Sequence, residues 1–404
     1  MREFARLVPI LVATVASVAT ASPARLHAQQ VRDSAGARII RYDARARPAA
    51  KWTVEPKPLL RIGGADGEGP EELAGVLGVA RLTDGRVVIA DGGSTELRVF
   101  SPTGEFVRAI GRKGLGPGEF DGIHFMIRSA DTLVVHDRQS RLQIYLADGT
   151  LLRSYPRPIF QGRGISSWPG VLSDGSGVVL GSDPVTDSVS DRSTATSSLG
   201  IRPPGRNEAR AFAKIPVFER VRLNGRQVAL FLGAVSRVAV MGGRVCSGYA
   251  IRWEIQCFDR TGRLISRTFR EVKPGSVTDA DKETFRKGYR AANKTQPPDR
   301  VNAALQQIQF AEHRSAFGRF VASPTGELWI GEFVVLESFV PGRRGTVIPD
   351  RPTTWSVLGK DGAWVADVTL PTRFSLLDAG RDYVAGIELD SDDVESVVVY
   401  RLRR

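Results

Sequence analysis

The feature that most constrains this chain is a glycine-rich junction that occurs twice. Ile110-Gly-Arg-Lys-Gly-Leu-Gly-Pro-Gly-Glu-Phe120 is echoed about 48 residues earlier by Ile62-Gly-Gly-Ala-Asp-Gly-Glu-Gly-Pro-Glu-Glu-Leu73. Each copy closes one β-rich segment and opens the next. In the first segment, Leu77–Leu82, Val87–Ala90, Leu97–Phe100 and Phe106–Ile110 read as four strands. The turns Thr83-Asp-Gly-Arg86 and Ser101-Pro-Thr-Gly-Glu105 carry the residues that tight hairpins demand. The pattern returns at Leu133–Asp137, Leu142–Tyr145 and Leu151–Tyr155, in worn form from Val171, clearly from Val238 to Phe269, and again from Phe317 and Phe374. A four-stranded unit recurring every 40–50 residues predicts an all-β propeller of six blades over residues 51–404. The sixth copy stops after its third strand. Lys51–Ile62 is an orphan strand before the first copy, and the expectation is that it completes the last blade and closes the ring.

Neither junction is a nucleotide loop, since no Gly-Lys-Ser/Thr opens a helix and strands flank both copies. The junctions and the following strands resemble NHL repeats. The pattern that carries the likeness is Gly111-x-x-Gly114-x-Gly116-Pro117-Gly118-Glu119-Phe120, then Val134-Val-His-Asp137, then the Tyr145–Gly149 turn. The whole chain is similar to exported six-bladed β-propeller proteins of bacteria. That resemblance implies a binding platform in most cases, and in a minority an enzyme with a metal in its central channel.

Residues 1–28 read as a signal peptide, with Arg2 and Arg6 ahead of the apolar run Leu7–Ala21 and small residues at two cleavage positions, Ala21 and Ala28. The expected location is the periplasm or the exterior, without a transmembrane segment. Residues 29–50 read as a flexible Arg-rich linker. The formal charge of +12 comes mostly from arginines spread singly, with no block of like charges, so no nucleic-acid surface is expected. Cys246 and Cys257 fall opposite each other across a hairpin centred on Ile251 and Arg252, which predicts a disulfide; two small apolar residues facing across strands is the alternative.

Strand order places the loops after each second strand on the same face as the blade-to-blade crossovers. That face gathers Asp91, His136, Asp137, Arg138, Asp183, Tyr249, Arg252, Glu332 and Glu388 as candidate ligand-binding residues. Asp91 and Asp137 occupy equivalent repeat positions, where a carboxylate can instead cap neighbouring loop amides. A helical insertion, residues 276–315, lies on the crossover between blades four and five. Thr278-Asp-Ala-Asp281 reads as its helix start, and Phe285 and Tyr289 share one side. It reads equally as a lid, a partner surface that includes Tyr289, or an inert plug. His124, His136 and His313 are the histidines a divalent metal would need, but their spacing matches no metal motif. No nucleophile elbow or Cys-His pattern occurs. The resulting expectation is a monomeric, non-catalytic exported protein without a cofactor, binding a protein or carbohydrate partner on the insertion-bearing face. The alternative is a metal-dependent hydrolase or lyase working in the channel.

Overall fold

The structure, a computed structural model, describes residues 29–404 except 130–131, 139–140, 156–158, 161–162, 183–190 and 338–346. The expected signal peptide and Asp183 lie outside the described residues. Among the described residues the chain is all-β apart from two α-helices in one insertion and two 3-10 turns, Gly69–Glu71 and Val335–Glu337. Its strands form successive antiparallel meanders whose first strands are Val76–Arg81, Ile123–Ser129, Arg163–Val171, Ser236–Met241, Phe320–Ala322 and Phe374–Ala379. Each first strand packs against the first strand of the next meander, and Phe374–Ala379 packs back against Val76–Arg81.

The cores fill the seams between meanders. Val88 and Leu97 of the first meet Leu133 and Tyr145 of the second. Val134 of the second meets Trp168 and Val179 of the third, and Leu199 of the third meets Val240 and Val245 of the fourth. Ile255 of the fourth packs on Leu328 and Trp364 of the fifth, and Trp329 and Trp355 of the fifth on Leu376 and Val398 of the sixth. Ile387 and Val397 of the sixth complete the circuit against Val79 and Ile89 of the first. Both faces of each sheet are therefore apolar, which is why strands such as Val87–Asp91 are buried at every position. The turns rely on glycine where the backbone goes left-handed, as at Gly104 (φ +96°) and Gly149 (φ +80°).

The long strand Ala50–Gly63 lies antiparallel along the last strand, Glu395–Arg403, from Gly63 opposite Ser396 to Thr53 opposite Arg403. Its first residues also run parallel to Trp364–Leu370 of the fifth meander, with Ala50 opposite Ala366. The Cys246–Cys257 disulfide is present, its residues directly opposed in the ladder of the fourth meander.

Residues 29–50 differ from the expected flexible linker. Gln29–Ser34 and Ala37–Tyr42 form a hairpin whose second strand runs parallel to Leu264–Arg270, extending the fourth sheet outward. Its Ala35-Gly36 turn takes positive φ at both residues, which suits a two-residue hairpin. Ile40 and Tyr42 bury themselves on the fourth–fifth seam, and the Tyr42 hydroxyl accepts the Trp364 backbone N–H at 2.8 Å. The burial of Ile40 and Tyr42 outweighs the arginines around them, of which Arg38 pairs with Asp361 at 3.2 Å and Arg41 lies over the Phe269 ring.

Helices α1 (Asp279–Ala292) and α2 (Pro298–Gln307) form the insertion. Thr278 Oγ1 accepts the Asp281 N–H at 3.2 Å, and Asp281 Oδ2 accepts the Thr278 N–H at 2.7 Å, a capping box made with the shorter acid. Arg314 adds a charged bond to the same oxygen at 2.7 Å. Phe285 is fully buried, edge-on to Phe231 and Phe310 at 5.2 and 5.4 Å. Phe231 ends a strand, Arg226–Phe231, that extends the third meander and pairs with Gln309–Phe310.

Candidate functional site

The ring encloses an axial cavity of about 1,230 Å³. The first strands of the meanders supply its wall, through Leu77, Phe125, Val238, Phe320 and Leu376 among others. Its rim on the crossover side is made by Gly75, Gly92, Gly93, Lys113, Gly122 and Arg138. The wall is charged as well as apolar, and its carboxylates are engaged. Asp378, 2% exposed, accepts from the Arg81 backbone N–H and the Tyr383 hydroxyl, each at 2.8 Å, with the Arg128 guanidinium at 3.5 Å. Burial pushes the Asp378 carboxyl up, and the three donors oppose that push. Glu337 faces Arg319 at 3.5 Å, and Arg319 also donates to Ser375 Oγ and the Leu376 carbonyl. Glu395 accepts the Val76 N–H at 2.9 Å.

The residues expected to bind a ligand fall into separate places. Arg138 lines the cavity, its side chain exposed. Asp91 is buried and accepts the Ala74 and Ser94 N–H groups, both at 2.8 Å, with Arg98 at 3.5 Å. Asp137 accepts from the Arg141 backbone and guanidinium, and Arg141 reaches on to carbonyls of the second junction at Gly116 and Glu119. Both aspartates thus tie loops to crossovers. Glu332 holds Arg351 at 2.6 Å and the Thr354 N–H at 3.1 Å. Glu388 is paired with Arg61 and the Tyr400 hydroxyl. Arg252 is exposed and paired with Glu254 at 2.5 Å. The Tyr249 hydroxyl is buried, and burial pushes its pKa up to about 12. Tyr289 stacks on Phe285 within the insertion. No described residue of 276–315 lines the cavity.

His124 and His136 meet edge-on at 5.4 Å, with Phe125 4.9 Å from His136. His313 is exposed beside Ser276 in the insertion. Among the described residues no group of three or more His, Cys, Asp or Glu side chains is placed to hold a metal ion. Burial first, then the neighbouring His124, pushes the His136 pKa down to about 4, while Asp137 pulls the other way. A histidine depressed in the folded state binds its proton more readily when unfolded. Its effect is absent above pH 6.5 and costs stability as pH falls from 6.5 toward 4. Urea titrations of wild type and His136→Phe should show the variant gaining about 1–2 kcal/mol relative to wild type across that window, solvent screening included. Parallel pH profiles would contradict the assignment.

The sequence of residues 64–158 matches a family described as a 6-bladed beta-propeller, DUF5128. No curated protein matches the chain. Among solved structures, a member of the DUF4221 family from Bacteroides vulgatus is 9% identical, covering 88% of this chain and 99% of its own, with a TM-score of 0.50. A protein of Bacteroides fragilis described as exported is 14% identical over 90% of this chain and 99% of its own, TM-score 0.48. A gluconolactonase of Xanthomonas campestris is 14% identical over 88% and 99%, TM-score 0.39. The seam-filled ring of sheets around an axial cavity is that of a β-propeller. Its first two repeats are where the match to the six-bladed family falls.

Proposed function

We propose that this chain is an exported, non-catalytic binding protein that holds its ligand in the axial cavity, entered from the face that bears the helical insertion. The observation that carries this reading is the cavity itself, wide enough for a small-molecule ligand and lined by apolar side chains together with charged ones, Arg128, Arg319, Glu337 and Asp378 among them. The strand-end carboxylates on that face support it, because they are spent on loop amides and arginines. The residues 1–28 pattern supports export. On this reading Ala50–Gly63 closes the ring, and the insertion flanks the mouth, joined to the cavity through Glu337, whose turn packs on α1. Native mass spectrometry of residues 29–404, purified gently from the exported pool, tests it. A small-molecule adduct is expected on wild type and lost from Leu77→Trp, which fills the wall. A wild type without adduct, or an adduct kept by Leu77→Trp, contradicts the reading.

A further inference from the structure

The rim of the cavity is unevenly charged, and the imbalance sits at the junction between the first and second meanders. Lys113 lies there, its backbone bridged to Phe120. The chain then passes through Asp121 and Gly122 into the strand that carries His124. Arg138 returns from the next loop, its N–H donating to the Gly122 carbonyl at 2.8 Å. Lys113, Asp121, Gly122, His124 and Arg138 all line the cavity. Arg138 rests on Gly122 so closely that a β-carbon there would stand 2.8 Å from both its Cδ and Nε. Glycine at 122 therefore leaves the room that the Arg138 side chain occupies at the rim.

Most arginines of this chain have a carboxylate or carbonyl within reach, among them Arg98, Arg112, Arg128, Arg141 and Arg319. The side chains of Lys113 and Arg138 have no such partner among the described residues. The acids nearby do not balance them. Glu119 is paired with Arg112 at 2.8 Å, and Glu395 keeps its charge but is tied to the Val76 amide of the first strand at 2.9 Å rather than to this junction. Asp121 has a partner of its own and is a single charge against the two cations. Two unpaired cations and an exposed imidazole at the lip of a concave site attract negative charge. Guanidinium and ammonium groups are the usual partners of oxyanions.

We infer that Lys113, His124 and Arg138 form an oxyanion subsite at the cavity mouth, and that the ligand carries a carboxylate, phosphate or sulfate group there. This rests on the proposal that the cavity binds a ligand, and it adds which chemical class of ligand enters. The body of the ligand would lie inward against Leu77, Phe125 and Val238, with its anion at the rim.

The test is isothermal titration of residues 29–404 with glucuronate oligosaccharides, inorganic phosphate, a sulfated disaccharide and a neutral disaccharide, at 50 and 300 mM salt. One of the anionic probes is expected to bind, several-fold more weakly at high salt, and the probe that does so identifies the oxyanion. Arg138→Gln and Lys113→Gln should each weaken it by about tenfold or more, the loss of one charge-assisted contact. Gly122→Ala should weaken it comparably, by displacing Arg138 while every charge is kept. Urea midpoints near wild type would show that these variants fold. Anionic probes that bind the variants as well as wild type, or that do not bind at all, overturn the subsite. If the neutral disaccharide or the native adduct binds equally to wild type and Arg138→Gln, the cavity reading survives and the oxyanion claim fails. If Leu77→Trp retains anion binding, the rim binds anions and the cavity reading fails.

Discussion

Asp378→Ala is expected to destabilise the protein by about 3–5 kcal/mol, because it strips the counter-charge from a guanidinium that the fold has already dehydrated. Arg128 and Asp378 are 7% and 2% exposed, and the same carboxylate receives the Arg81 amide and the Tyr383 hydroxyl. The pair joins the first strands of the second and sixth meanders, with Arg81 of the first between them. Its loss therefore acts on three sheets at once. Asp382→Ala is the comparator, since that carboxylate is 66% exposed and lies 3.7 Å from Arg81. Surface pairs of this kind contribute under about 1 kcal/mol. Urea midpoints for the two variants should separate clearly, and equal midpoints would mean the buried pair is not a structural tie.

Phe120→Ala should cost a similar amount, about 3–5 kcal/mol, through the cavity it leaves. Phe120 is fully buried at the second junction, its ring 6.0 Å from that of Tyr145 and stacked against the backbone of Gly111. A β-carbon on Gly111 would stand 2.2 Å from the ring, at a φ of +78°. Gly111→Ala should thus cost about 2–3 kcal/mol by crowding and left-handed strain together. In the Phe120→Ala background the crowding vanishes and about 1 kcal/mol of strain should remain. Leu115→Ala, at a position 65% exposed in the same loop, should change stability by no more than about 0.5 kcal/mol. Chemical denaturation of the five proteins measures the whole cycle.

These two sites show which features could be read before any coordinates. The Gly111…Phe120 pattern is visible because a left-handed turn that presses on an aromatic ring tolerates few residue types, so the motif survives repetition. Hairpin turns such as Ser101–Glu105 and the Cys246–Cys257 register follow from local rules and were legible for that reason. The Arg128–Asp378 pair was not, since its partners stand 250 residues apart and only the ring brings them together. First strands such as Ile123–Ser129 and Ser236–Met241 mix buried positions with half-buried or exposed ones out of strict alternation, so the pattern does not mark which side chains reach the axis. Asp91 and Asp137 sat where a ligand carboxylate or a loop tie would look the same in sequence, and the structure uses both to hold loop amides and arginines. Lys113 was passed over because nothing local distinguishes a rim lysine from a solvated one. In Gln29–Tyr42, arginine content masked the alternation of Ile40 and Tyr42, which places the hairpin on the fourth sheet.

The proposed closure of the ring rests on Ala50–Gly63 lying beside the final strand. Ile62 and Val397 face each other in that ladder, both buried. The native cysteines are already bonded to each other, so an added pair reports without interference. Mild oxidation of folded Ile62→Cys/Val397→Cys, followed by intact-mass and peptide mapping, should yield one new bond within each chain. Thiols that stay free in the folded protein, or that bond only between chains, would contradict the closed ring.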